Sequence, residues 1–347
     1  MELGTIIIPG NTPTKTNGQA PPNGGGRTNA LANYPVAYWN LVGESILQRT
    51  VGRLRASGAR LITVVHPDEE ATADVKHQGW EKVFLEYVRT GVERVLLISL
   101  DAYAEFDLEH ILRFHRQAQC PVTHVVDEDG PLGISVIEAK CVAEDVAQFR
   151  RRLSAFTSCS STYEFNGYVK RLDGAPEYRQ LVQHALLGIC KARPVGKEVR
   201  PGIWMGEGAR VSASARLLGP CYVGAHTKVR AGALVMRQAA IEQNCEIDCG
   251  TVVEGSSILP RTYVGPGLHI SQSVVSGSRL VHLGRQLDVE LGETGLLGRT
   301  GPSASLRILE SLGSLFGNWG PEPATGTSTP SRAPASVEWV RSNGFFG

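Results

Sequence analysis

The sequence predicts an α/β domain followed by a parallel β-helix of hexapeptide repeats. Before residue 190, short continuous apolar runs alternate with helical patterns. From 205 to 259 an apolar residue recurs every sixth position. The 39 glycines among 347 residues, about 11% against a usual ~7%, supply the turns that both patterns need. The chain divides into 1–190, 191–292 and a tail, 293–347.

In the first region, Thr5–Ile8 is a short buried-strand candidate closed by Pro9-Gly10. Residues 11–35, rich in Gly, Pro, Asn and Thr, read as a long loop. Ser45–Ala56 follows with Ile46, Leu47, Val51 and Leu54 at helical spacing. Leu61–Val65 is a β-branched strand run, Val83–Val88 a helix, and Val95–Ile98 another strand. Leu108, Ile111 and Leu112 mark a further helix. This alternation predicts a largely parallel sheet, and continuous apolar strands suit a sheet covered on both faces.

In the second region, Met205, Val211, Leu217, Val223, Val229, Val235, Ile241, Ile247, Val253 and Leu259 stand six apart. From Val211 on, the residue two before each, from Ala209 through Cys221, Thr227 and Cys245 to Ser257, is small. A period of six is neither helical nor a simple alternation. It fits a three-sided coil of about 18 residues whose aliphatic side chains stack inward and whose small residues sit near corners. After Leu259 the frame slips to Val264 and Ile270, then to Val275, Val281 and Leu287. Four to five coils ending near 290 are expected.

In the tail, Ile308, Leu312, Leu315, Phe316 and Trp319 share a helical face, expected to cap the prism. Gly320–Ser336 reads as a linker. Val337-Glu338-Trp339-Val340 and Gly344-Phe345-Phe346 are apolar for a tail; partner docking, packing back on the chain and disorder all stay open.

Composition narrows function. With 35 Lys plus Arg against 34 Asp plus Glu the net charge is +1. That argues against a nucleic-acid partner or a polybasic membrane arm. No apolar run approaches the ~18 residues of a membrane span, and no secretory signal opens the chain. Seven cysteines without a CxxC pair fit a reduced cytoplasmic protein with free thiols.

Three motifs carry a resemblance. Gly167-Tyr168-Val169 with Gly174-Ala175-Pro176-Glu177-Tyr178 leads into a helix at Tyr178–Leu187. Leu97-Ile98-Ser99-Leu100-Asp101 is followed by Phe106-Asp107-Leu108. A fragment, Gly24-Gly25-Gly26-Arg27-Thr28, lies in the loop after the first strand. Together with the hexapeptide repeat, these resemble the sugar-1-phosphate nucleotidyltransferases, or NDP-sugar pyrophosphorylases, over about 5–290. The resemblance implies a Rossmann-like nucleotidyltransferase domain followed by a left-handed parallel β-helix.

It also implies a reaction. A nucleoside triphosphate and a sugar 1-phosphate would give an NDP-sugar, for polysaccharide or cell-envelope synthesis, with Mg²⁺. Asp101 would hold the metal, with Asp173 or its neighbour Leu172 at the second acidic position. Gly25, Gly26 and Arg27 would bind the nucleotide, Arg27 also serving catalysis. The family's Lys is replaced: Tyr34-Pro35-Val36 stands where Pro-Lys is expected, and Lys15 is an alternative cation. Two other readings remain. One is an inactive homologue with a regulatory or assembly role. The other is a hexapeptide-repeat acyltransferase, which would use His226, His269 or His282 as base. A homo-oligomer is expected in each case.

Overall fold

The structure is a computed structural model that describes residues 3–9, 35–65, 78–141, 160–285, 287–292 and 295–300. The predicted capping helix at 308–319, the linker and the apolar tail segments lie outside them.

The first region is built on a six-stranded sheet. Its strands are β1 (Leu3–Ile8), β4 (Leu61–Val64), β5 (Arg94–Ser99), β7 (Val122–Asp127), β8 (Gly130–Glu138) and β9 (Ser160–Glu164). Their order is β4-β1-β5-β8-β7-β9. A two-stranded hairpin, β2 (Asn40–Leu41) and β3 (Glu44–Ser45), precedes helix α1 (Ile46–Ala56). Strand β6 (Ala102–Ala104) pairs with β10 (Val169–Arg171) outside the main sheet.

Helices α2 (Gln78–Arg89) and α3 (Leu108–Ala118) follow β4 and β6 in the chain. Ser45 starts α1 with a reciprocal cap: its hydroxyl accepts from Gln48 N at 3.1 Å, and the Gln48 side chain accepts from Ser45 N at 2.8 Å. A cap of this kind contributes about 1 kcal/mol. The buried residues of α1 are Ile46, Thr50 and Leu54. Leu54 joins Ile7, Leu96, Ile98, Ile111 and Ile134 in one core cluster, while Phe84 and Tyr87 of α2 pack with Ile6 and Val95.

The sheet is only partly parallel. β1 pairs parallel with β4 and β5, whereas β8 runs antiparallel to both β5 and β7. The reversal is local chemistry. The β7–β8 connection is Asp127-Glu128-Asp129-Gly130, in which Asp127 Oδ1 accepts from Asp129 N at 3.1 Å and Gly130 takes φ +118°. An Asx turn closed by a left-handed glycine makes a hairpin rather than a crossover.

The second region is three sheets around one core. Strands 210–211, 228–229, 246–247 and 262–264 form one of them. Strands 216–217, 234–236, 252–254 and 269–271 form another. The remaining sheet holds 203–205, 221–223, 240–241, 257–258 and 273–276. Within each sheet these strands are parallel, and the pairings Arg210↔Lys228 and Leu234↔Val252 return every eighteen residues. Val223, Val229, Val235, Ile241, Ile247 and Val253 share the central cluster, each at most 2% exposed. The arrangement is compatible with a β-helix.

The small positions are more than spacers. Thr227 Oγ1 donates to Glu242 O at 2.7 Å and accepts from Cys245 N at 3.1 Å; Thr251 Oγ1 donates to Gly265 O at 2.6 Å. Each hydroxyl satisfies backbone groups of the next circuit at a buried corner.

Two expectations for this region are corrected. The frame shift falls before Ile258, not after Leu259. Ala240 pairs with Ser257 and Ile241 with Ile258, so that circuit is seventeen residues long. Arg237 and Gln238 occupy the preceding corner in left-handed conformations, and the next circuit turns there through Gly255. Ile258 therefore points inward, and Leu259 packs against the first region instead. Likewise Val281 and Leu287 do not continue the parallel repeat: 279–282 and 287–290 extend the sheet as antiparallel strands.

Helix α4 (Ala175–Leu187) lies between the two regions. Tyr178, Leu181 and Val182 pack with Trp39 and Leu41 on one side and with Tyr222, Ala240, Leu259 and Val274 of the outer prism face on the other. Arg179 is 2% exposed and donates to Gly255 O at 2.8 Å and Gln238 O at 2.7 Å. It thus caps carbonyls at the shortened corner. Among the described residues no helix is long and apolar enough to cross a membrane.

Candidate functional site

The strand order creates one distinctive crevice. The chain leaves β1 toward β4 on one side and leaves β5 toward β8 and β7 on the other. The carboxyl ends of β1 and β5 therefore flank a point where the connections diverge, which in open α/β sheets is where ligands bind. Ile8 ends β1 there, and its carbonyl accepts from Leu100 N at 3.0 Å. The residues that follow each edge of the crevice are Pro9-Gly10 and Asp101.

Asp101 is exposed at this rim. Ser99 Oγ donates to its Oδ2 at 2.6 Å, fixing the carboxylate over the end of β5. The β8 backbone passes close by. A Cβ on Gly133 would lie 2.9 Å from Ser99 O, and Gly133 itself takes φ +69°. Only glycine lets β8 approach so near.

The β6–β10 ladder brings Asp173 into the backbone neighbourhood of Asp101. Ala102 pairs with Arg171, and Leu172 N donates to Asp101 O at 3.3 Å. Asp173 is the next residue along and is exposed, while Leu172 is buried in the core around α4. Of the two residues that the spacing left open, Asp173 is thus the one with a carboxylate at the rim. Arg171 holds the ladder in position: its guanidinium pairs with Asp127 and donates to Pro131 O at 3.1 Å. On the other strand, Arg53 Nη2 donates to Ala104 O at 2.7 Å and its guanidinium lies 5.2 Å from the Tyr103 ring centroid.

The remaining candidates separate. Gly25, Gly26, Arg27 and Lys15 lie outside the described residues, so the crevice is described on the Asp101 side. No group of three or more His, Cys, Asp or Glu side chains able to hold a metal is present among the described residues. A pair of carboxylates is nevertheless the donor set that Mg²⁺ uses when phosphates and water complete its shell.

The three histidines stand apart from the crevice. His226 is exposed at a prism corner with φ +56°. His269 lies 3.1 Å from Glu254, and His282 Nδ1 accepts from Arg285 N at 3.3 Å. Two open surface grooves lie on the second region. A groove of about 540 Å³ is lined by Arg210, Lys228, Arg230 and Cys249, and one of about 760 Å³ by Ile203, Met205, Val211 and Leu217 at the first circuit.

Sequence reasoning missed several residues that shape the site. The β6–β10 ladder and its Arg171 clamp carry no motif of their own, because two three-residue strands are too short for periodicity to register. The Asp129-Gly130 dipeptide between apolar runs was the available signal for the β7–β8 hairpin.

No family model matches the chain. Over 118 residues the chain is 30% identical to a UTP–glucose-1-phosphate uridylyltransferase of Synechocystis sp., covering 33% of this chain. The match spans 30% of that relative's length. Among solved structures, a protein from Bacillus anthracis assigned as a glucose-1-phosphate thymidylyltransferase, in complex with a sucrose, aligns with a TM-score of 0.38 at 11% identity. That alignment covers 56% of this chain and 97% of the other.

Proposed function

We propose that the protein is a sugar-1-phosphate nucleotidyltransferase of the cytoplasm, with the second region forming a left-handed parallel β-helix that supports a homo-oligomer. The observation that carries this reading is the position of Asp101, with Asp173 close to it along the backbone, beside the switch point between β1 and β5. The sequence match to a uridylyltransferase supports the same reaction class. The destination of the product, polysaccharide or cell-envelope synthesis, rests on the resemblance alone, which names neither the base nor the sugar.

In the proposed reaction, a phosphate oxygen of the sugar 1-phosphate attacks the α-phosphorus of the nucleoside triphosphate in line. The bond from the α-phosphorus to the bridging oxygen breaks, and pyrophosphate leaves. Bound Mg²⁺ would neutralise charge on the phosphates. Asp101 and Asp173 would hold it, and Ser99 keeps the Asp101 carboxylate aimed at the rim. Gly25 and Gly26 would bring backbone N–H groups to the triphosphate, and Arg27 would place a cation on it. Val36 brings no charge where the family has Lys, so Arg27 or Lys15 must supply it. Losing one such cation without replacement costs about a hundredfold in rate.

The test is pyrophosphate release by the purified chain with Mg²⁺, a panel of nucleoside triphosphates and a panel of sugar 1-phosphates. The expected result is release that falls at least about a hundredfold in Asp101→Ala. No release above that variant, with nucleotide binding retained in calorimetry, would identify an inactive homologue instead. Acetyl-CoA turnover dependent on His226 or His269 would replace both readings with an acyltransferase.

A further inference from the structure

The prism carries one fully buried acidic side chain, Glu242, that nothing in the proposed reaction uses. It is 0% exposed and lies on the outer prism face, in the register row of Leu259. Its Oε2 accepts from Gly43 N at 3.0 Å, across 199 residues of sequence. The Val42 N–H and the Asn40 side chain also face it and favour its charged form, while Oε1 is buried without a hydrogen-bond partner. All three groups belong to the β2–β3 hairpin.

That hairpin is under strain. Val42, a β-branched residue, takes φ +45°, a region it rarely enters. Gly43 takes φ +108°, and a Cβ there would meet Tyr222 Oη at 2.5 Å. Strain of this kind persists only where surrounding groups over-determine the conformation. Here they do: Arg49 donates to Leu41 O at 2.6 Å, Tyr178 Oη donates to Asn40 O at 2.5 Å, and Val195 N donates to Val42 O at 3.0 Å.

The hairpin's contacts give the strain a use. It follows 36–38 and leads directly into α1. Tyr178, which fastens the hairpin, lies on the helix that begins directly after Asp173 and Gly174. The hairpin and the Asp173 side of the crevice therefore meet at one joint, and Glu242 is the prism's contribution to it.

We infer that Glu242 is a positioning residue: it holds the strained Val42–Gly43 turn from the prism side and so fixes the joint that seats Tyr178 and, with it, the start of the helix after Asp173. The role depends on the nucleotidyltransferase reading above for its consequence, but the clamp itself does not. It gives the prism a means to act on the site through a contact rather than through bulk packing. Around the carboxyl lie Arg49 of α1, Tyr178 of α4, and Tyr222 and Cys245 of the prism, with Glu44 of β3 facing Tyr222. Burial is the largest influence on it and raises its pKa to about 7, so its charge changes within the working pH range.

The experiment compares wild type, Glu242→Gln and Glu242→Ala by two readouts: amide exchange across 36–49, and the KM for nucleoside triphosphate in the pyrophosphate assay. Gln keeps an acceptor for Gly43 N without a charge; Ala leaves that N–H unpaired. We expect Glu242→Ala to raise exchange across 40–46 at least about tenfold, and to raise KM more than it lowers kcat. Exchange in β5 and β7 stays unchanged. Glu242→Gln should restore both readouts and flatten the pH dependence of exchange between pH 6 and 8. Unchanged exchange in Glu242→Ala overturns the clamp. Raised exchange with an unchanged KM overturns the positioning role. Should the wild type release no pyrophosphate, the proposed function fails, while exchange still decides the clamp.

Discussion

A few residues bear conformations that others must hold in place. Gly43 is the sharpest case, because both its φ of +108° and the 2.5 Å approach of Tyr222 Oη exclude a side chain. Gly43→Ala is expected to cost about 1–3 kcal/mol, read as a lowered urea midpoint. Glu242 makes stability depend on pH. Its folded pKa of about 7 lies above the ordinary 4.5, so between these values the folded chain keeps a proton that the unfolded chain has released. The stability from this group is complete below pH 4.5 and is lost as pH rises through 7. At ~1.4 kcal/mol per pH unit the loss is about 3 kcal/mol. Urea unfolding at pH 5 and pH 8 checks it: the decrease seen in wild type should shrink by that amount in Glu242→Gln. Thiols report burial directly. Cys221 and Cys245 are buried and their pKa values are pushed up to about 12, whereas Cys249 is exposed. A maleimide should label Cys249 in the folded protein and reach Cys221 and Cys245 only after denaturation.

Among elements, the hexapeptide strands were the most legible and the short ladders the least. Ten aliphatic positions in one frame leave a period that no other element produces. The residues from Val223 to Val253 duly form the inner row. The shift at 258 shows what such a pattern hides. Leu259 satisfied the six-residue spacing while belonging to the opposite face, because one deleted corner residue moves every later side chain by one position. The apolar character of both Ile258 and Leu259 concealed the change: one fills the prism and the other the joint against α4. Antiparallel strands at 279–290 were equally hidden, since Val275, Val281 and Leu287 keep a six-residue spacing by the geometry of two hairpins. Val229→Asp places a charge against the inner row and should cost about 3 kcal/mol or more. Circular dichroism on heating should show the β-rich transition shifted to lower temperature.

At the scale of the whole molecule, the joint around α4 connects the two regions through one continuous cluster from Trp39 to Val274. The sequence marked both ends of this joint, the Gly174–Tyr178 segment and the hexapeptide rows. It did not mark their meeting, which depends on contacts between residues hundreds of positions apart, such as Gly43 with Glu242. The crevice followed the same rule. Asp101 was legible because an apolar strand run ends just before it. Its neighbourhood with Asp173 required the β6–β10 ladder, which has no sequence signature. The homo-oligomer is a proposal that sedimentation equilibrium decides, with a mass above one chain expected.

The central claim is that the nucleotide binds between the ends of β1 and β5. Amide exchange with and without Mg²⁺ and a nucleoside triphosphate tests it most directly, in wild type and in Asp101→Asn. The account predicts protection confined to 3–9, 24–28, 99–104 and 168–174 in wild type, and its loss in Asp101→Asn. Protection confined to the prism, or equal in the two proteins, would contradict it.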